Sequence, residues 1–448
     1  MQVRIISRET IKPSSPTPSH LKTLKFSLFD QIAPKSYIPT ILFYPTNDGL
    51  LINHAQISTQ LKKSLSEALT RFYPLSGREK DQFSIQCNDE GASYSEALVD
   101  YNVSDFLDPP KINLLSQLLP CHCQPWVTCQ DRASAVCLAI QVNVFNCGGI
   151  AIGVCVLHTI ADGITVSAFL KSWATIARGA NDQQLFRPDF TTASTLFPPR
   201  DLLSLTCSNR LLVAWKKEAI SVTRRFVFDA NAIVTLKAKA EGEYVSNPTR
   251  YESLAALIWK CLIGASMKIS GLARPSLLEH AVDIRRRMGQ PLSADSMGNV
   301  IIVANAVYDP AETNIILRDL ATIVRQSIEE VNGDFMRTLQ GDEGFLLISG
   351  YAEMIAEMLQ KEEPESFGFT NWCNFGLNEV DFGWGKPLWV GASGGDNLSF
   401  VNCVLFKDME CGKGTEAWVT LEEKEMAAFE NDPDLLAYAF PNPSVSRP

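Results

Sequence analysis

The stretch Ala133–Leu157 contains no charged residue and runs directly into a histidine, His158. A run that long can cross a bilayer as a helix, or it can be folded into a buried sheet. Gln141, Asn143 and Asn146 interrupt it, and Cys147-Gly148-Gly149 breaks it in the middle. Val136, Leu138, Ile140, Val142 and Val144 alternate with smaller or polar residues, as do Ile150, Ile152, Val154 and Val156. Two buried strands joined by a turn satisfy this pattern better than a membrane span. Side chains on a strand alternate between its faces, so His158 is expected at the strand's end, on the face of Val156.

A helix is predicted from Asp162, with Val166, Phe169, Leu170, Trp173 and Ile176 as its buried stripe and Gly179 as its stop. Upstream, Leu61, Leu65, Ala68, Leu69 and Phe72 fall at helical spacing, which predicts a helix over 58–71. It ends at Tyr73-Pro74, with Gly77 in a turn. Residues 181–224 carry Pro188, Pro198 and Pro199 and little periodicity, and read as a crossover linker. Further on, helices are predicted near 251–267, 315–331 and 344–361. Strands are predicted near 225–229, 279–284, 300–307, 388–393, 399–406 and 416–420. Mixed elements in both halves predict an α/β protein of two domains, 1–185 and 225–448, with 186–224 between them.

Composition narrows the partners. The 448 residues carry a formal charge of −10, and 46% are hydrophobic. An acidic chain without a basic face is a poor binder of nucleic acid or anionic membrane. The N-terminus has no apolar core of a secretory signal, so a cytoplasmic location and free thiols are expected for the 12 cysteines. Cys121, His122, Cys123 and Cys129 lie close together, but their spacing matches no paired zinc pattern, and no metal is expected.

The strongest chemical signal is His158-Thr159-Ile160-Ala161-Asp162-Gly163. An imidazole at the end of a buried strand, before a tight turn, is held rigidly. It titrates near neutrality, so it can take a proton from an alcohol and return it to a leaving group. The competing reading is a satisfied core histidine. Asp162 either orients His158 or has a structural role, capping the helix or pairing with an arginine; the helix start at Asp162 favours the structural role. A second signal, Asp381-Phe382-Gly383-Trp384-Gly385-Lys386-Pro387, is a stiff aromatic-glycine loop with no base chemistry of its own.

Together, in this order, the two motifs resemble the HxxxDG and DFGWG signatures of the plant BAHD acyltransferases. Ile11-Lys12-Pro13 with SSPTP, Phe72–Arg78, Phe145–Gly149 and Arg225–Asp229 resemble further blocks of that family. The resemblance implies two chloramphenicol-acetyltransferase-like domains with an active-site tunnel at their interface, in a monomer. It implies acetyl-CoA or another acyl-CoA as co-substrate, with no permanently bound cofactor, and a small-molecule alcohol as acceptor. His158 would act as general base without an acyl-enzyme. Thr370 and Trp372 match the positions proposed to stabilise the oxyanion. Asp381 falls in a motif commonly counted as catalytic, although a structural role in shaping the second domain for coenzyme A is expected, as for Gly383 and Gly385. Asp162, beside Gly163, would pair with Arg285 across the domains. Ser253, Lys260, Arg285, Arg287 and Asn299 would contact coenzyme A.

The chain departs from the family pattern at Asn371 and Asn374. Ser296–Val300 stands where malonyl-transferring members carry a different block. The resemblance is strongest to members that acetylate alkaloids and terpenoids. An aromatic acyl donor, an amine acceptor and a catalytically silent binding protein are the alternatives.

Overall fold

The computed structural model describes residues 1–45, 54–120, 135–201, 220–288, 292–313, 315–360, 364–392, 401–410 and 412–445. The strands are β1 (Val3–Ile11), β2 (Thr23–Lys25), β3 (Tyr37–Tyr44), β4 (Arg78–Asp81), β5 (Ser84–Gln86), β6 (Ala92–Val99), β7 (Leu138–Phe145) and β8 (Ile150–Leu157) in the first half. The second half adds β9 (Ser221–Phe228), β10 (Ser276–Asp283), β11 (Ile301–Tyr308), β12 (Glu365–Asn371), β13 (Trp389–Gly391), β14 (Cys403–Asp408), β15 (Thr415–Glu422) and β16 (Phe440–Pro441). Five helices matter below: α1 (Leu28–Ile32), α2 (His54–Arg71), α3 (Gly163–Ala177), α4 (Arg250–Ser270) and α5 (Leu317–Glu330).

Two mixed sheets organise the chain. One has the order β1-β6-β7-β8-β3-β13, the other β11-β10-β12-β14-β15-β9-β16. The uncharged run forms β7 and β8, an antiparallel pair in which Val144 faces Ile150. Nearly every residue of the pair is buried, which the uncharged composition requires. Gly153 sits where a Cβ would meet the Leu118 carbonyl at 2.2 Å, so only glycine lets that segment cross the sheet.

Helices α2 and α3 cover the first sheet, burying Leu61, Leu65, Leu69, Phe169, Leu170 and Trp173 in one core. The second core is built on α4, whose Leu254, Ile258, Trp259 and Leu262 pack under the second sheet. Among the described residues α4 is the one helix long and apolar enough to cross a membrane, and its apolar side is spent in this core.

The halves are interlocked. Strand β13 belongs by sequence to the second half, yet pairs with β3 of the first sheet, Val390 opposite Leu42. Its Trp389 indole donates to Glu416 of β15 at 3.0 Å. Glu416 is also bound by Arg225 and Lys407, each at 2.8 Å, and all three are buried. Burial opposes the charge of Glu416, but the two cations hold its carboxyl at about 2. Strand β9 starts at Ser221, inside the segment expected to be linker, because its first residues pair with Leu421 and Glu422 of β15. Cys121, His122, Cys123 and Cys129 lie outside the described residues.

Candidate active site

His158 follows β8 directly. Its backbone N–H donates to the Ser36 carbonyl at 2.8 Å, extending the pairing in which Leu157 faces Tyr37. The chain then leaves the sheet through a short 3-10 turn, His158–Ile160. Asp162 caps α3, its Oδ1 accepting from Thr165 N at 2.8 Å. The imidazole is thus fixed between a central strand and a helix start. It stays partly exposed while Leu157, Thr159, Ile160 and Ala161 around it are buried.

One nitrogen of the ring is engaged by Asn299, from the segment between β10 and β11. Nδ1 lies 3.1 Å from Asn299 Oδ1. The Asn299 amide nitrogen donates to the His158 carbonyl at 2.7 Å and to Asp30 Oδ1 at 3.0 Å. Its oxygen is therefore the end that faces the ring, so Nδ1 carries the proton and donates. That leaves the Nε2 lone pair as the basic atom, and no described residue forms a hydrogen bond to it. Burial lowers the pKa of His158 below 6.5, against the opposing pull of nearby carbonyls, Asp162 and Asn299. The lowered pKa favours the neutral ring, the form a base needs.

Asp162 faces away from this nitrogen. Its Oδ2 meets Arg285 Nη1 at 2.8 Å and accepts from Val300 N at 3.1 Å. Arg285 also donates to the Ser296 carbonyl at 2.8 Å and to Asp283 at 2.9 Å. Burial works against both charges, but the pairing holds the Asp162 carboxyl below its ordinary range and the Arg285 guanidinium above its own. The expected ion pair is present and joins the two halves, pinning the segment that carries Asn299 against the start of α3.

Next to the start of α3 lie the end of β12 and the turn after it. Thr370 and Trp372 are partly exposed, and neither side-chain donor has a hydrogen-bond partner among the described residues. The turn is strapped to α3, Ser167 Oγ and Lys171 Nζ donating to the Phe375 carbonyl at 2.6 and 2.9 Å. Asn374 has φ +66°, a left-handed conformation that asparagine tolerates better than arginine or lysine, which accounts for the departure there. Asn371 Oδ1 accepts from Cys373 N at 3.0 Å and shapes the same turn.

Gly163 is the close-approach point. A Cβ there would stand 2.7 Å from Phe375 Cε2 and 3.2 Å from Trp372 Nε1. Gly163→Ala is expected to push the Trp372 indole out of place and lower kcat by about tenfold or more, with folding retained. Steady-state rates beside a thermal melt check this; an unchanged kcat contradicts it.

Beside this turn a cleft of about 560 Å³ lies between α3 and the ends of β10 and β12, lined among others by Ile164, Lys171, Arg286, Asn371 and Phe375.

Comparison with known proteins fits this geometry. A profile of the Transferase family matches residues 1–436. Akuammiline synthase 2 of Alstonia scholaris is 40% identical over 99% of this chain and 98% of its own length. Epi-neemfruitin B 7-O-acetyltransferase of Melia azedarach is also 40% identical, over 99% of this chain and 100% of its own. The crystal structure of vinorine synthase superposes with a TM-score of 0.83 at 33% identity, covering 99% of this chain and 100% of that one. The chain belongs to the BAHD acyltransferase family.

In this BAHD acyltransferase Asp381 of the second motif serves its own loop. The Asp381 carboxylate turns back on its own loop, accepting from Gly383 N at 2.7 Å and Gly385 N at 2.9 Å. Both glycines have positive φ, 109° and 107°. The loop is anchored to the first sheet's layer. Tyr44 donates to the Val380 carbonyl, Gln60 to the Phe382 carbonyl and Arg178 to that of Asp381. The Phe382 ring packs edge-on to Trp173, 4.8 Å between centroids. Its work is to deliver β13 to the first sheet.

The side chains expected at coenzyme A each have a partner within the protein. Ser253 is fully buried and its hydroxyl donates to the Thr249 carbonyl. Lys260 pairs with Asp434 at 2.6 Å. Arg287 donates to the Ile328 and Val331 carbonyls at the end of α5. Arg285 neutralises Asp162, and Asn299 holds His158. At the start of α4, Glu252 occupies the first turn and pairs with Arg325. Asp30 was not singled out from sequence. It sits in the α1 cap, where the Ser27–Asp30 spacing signals only a capping box.

Proposed function

We propose that this chain transfers an acetyl group from acetyl-CoA to a hydroxyl of a polycyclic terpenoid or alkaloid, with His158 as general base. The observation that carries the reading is the orientation of the ring. Nδ1 is tied to Asn299, and Nε2 is left without a hydrogen bond where the two halves meet. The printed names of the relatives support an O-acetyl transfer, and the family membership supports a coenzyme A thioester as donor.

The steps follow from the groups present. The acceptor's O–H proton passes to Nε2 as its oxygen attacks the thioester carbonyl carbon. The carbonyl oxygen becomes an oxyanion, for which the Thr370 hydroxyl and the Trp372 N–H are the available donors. As the tetrahedral centre collapses, the C–S bond breaks and the imidazolium returns its proton to the departing thiolate. No acyl-enzyme is needed. Arg286 lines the cleft beside this turn and is the cation proposed to meet the phosphates of coenzyme A.

The test is thiol release from acetyl-CoA against a panel of limonoid and indole-alkaloid alcohols. Acceptor-dependent release is expected. Because burial lowers the His158 pKa, the acid limb of kcat/KM is expected to turn below pH 6.5. Release with no alcohol in the panel, or only with aromatic thioesters, contradicts the acetyl reading.

A further inference from the structure

We propose that Asp30 is a positioning residue for the base, fixing the Asn299 amide and through it the tautomer of His158; the proposal rests on His158 being that base. An asparagine side chain can present either end to a ring. Only the oxygen end gives His158 an Nδ1 proton and a free Nε2 lone pair. The Asn299 amide nitrogen has two acceptors, Asp30 Oδ1 at 3.0 Å and the His158 carbonyl at 2.7 Å. Turning the amide over would set its oxygen against a carboxylate and a carbonyl, three acceptors with no proton between them. Asp30 thus decides which way Asn299 points.

The Asp30 carboxylate is built for this. It is buried, and four donors surround it: Asn299 N at 2.7 Å, Asn299 Nδ2 at 3.0 Å, Ser27 N at 2.8 Å and Ser27 Oγ at 2.7 Å. No lysine, arginine or histidine pairs with it among the described residues. The close approach needs Gly298, whose φ is +101° and whose Cβ, if present, would stand 3.2 Å from Asp30 Oδ1. A helix cap alone would require only the Ser27 side of this arrangement. The other two donors come from a segment 269 positions away in sequence, and that segment holds the ring.

In the full-length wild-type protein, ¹⁵N NMR of labelled histidine at about pH 8, where a free imidazole is neutral, is expected to show His158 as the Nδ1–H tautomer. His158→Gln assigns the signal. Asp30→Ala is expected to mix the tautomers and lower kcat by on the order of tenfold, with KM for acetyl-CoA within about twofold. Asp30→Asn keeps an oxygen for Asn299 and is expected to restore most of the rate. An Nε2–H tautomer in the wild type overturns the proposal even if Asp30→Ala does not fold. So does an unmoved tautomer in Asp30→Ala. A shifted tautomer with unchanged kcat supports the positioning role and overturns His158 as the base.

Discussion

His158→Ala is expected to lower kcat by at least roughly a hundredfold while leaving the thermal melt and coenzyme A affinity close to wild type. The ring makes one side-chain hydrogen bond, to Asn299, and stays partly exposed, so its removal leaves little buried void. What is lost is the basic Nε2 at the junction of the two halves. Calorimetric titration with coenzyme A beside steady-state rates reads both parts. A kcat within a few-fold of wild type contradicts the assignment. A collapsed melt would show instead that the imidazole was holding the fold.

Arg285→Met is expected to cost about 3–5 kcal/mol of stability, the range for removing one partner of a buried ion pair. Asp162 is 1% exposed and would keep its charge with only the Thr165 and Val300 amides as donors. The loss reaches the site as well. Arg285 also holds the Ser296 carbonyl, at the head of the segment that presents Asn299. A fall in kcat is therefore expected even at temperatures where the variant is folded. Adding Asp162→Asn removes the stranded charge and is expected to recover part of the stability. Urea denaturation decides it, and a loss under about 1 kcal/mol in the single variant contradicts a coupled pair.

Much of the catalytic half was legible because it is local. The strand ending in His158, the turn and the capped helix are contiguous, and their apolar periods are unbroken. The stripe Val166, Phe169, Leu170, Trp173 and Ile176 is buried as read. The Asp162–Arg285 pairing came from family resemblance rather than from spacing. Strand β12 was missed: Glu365–Asn371 has a central glycine and polar ends, and it becomes a strand only through its neighbours β10 and β14. Strand β13 was expected, but nothing in Trp389–Gly391 says that it crosses to the other sheet. What the residues expected at coenzyme A touch within the protein was not legible either. A cation or hydroxyl in a sequence carries no mark of the carbonyl or carboxylate that satisfies it, and Asp434, Ile328, Val331 and Thr249 do so here. Asp30 and Asn299 were hidden for the converse reason. Their meaning lies in contact with each other and with the ring, across a separation no local pattern spans.

The central claim is that Nε2 of His158 takes the acceptor's proton at the meeting of the two halves. The most direct measurement is a crystal structure with coenzyme A and an acceptor alcohol identified by thiol release. The account predicts the reacting hydroxyl within about 2.6–3.2 Å of Nε2, with the coenzyme A sulfur on the Trp372 side. An acceptor hydroxyl bound out of reach of Nε2, or a ring sealed from both ligands, would contradict it.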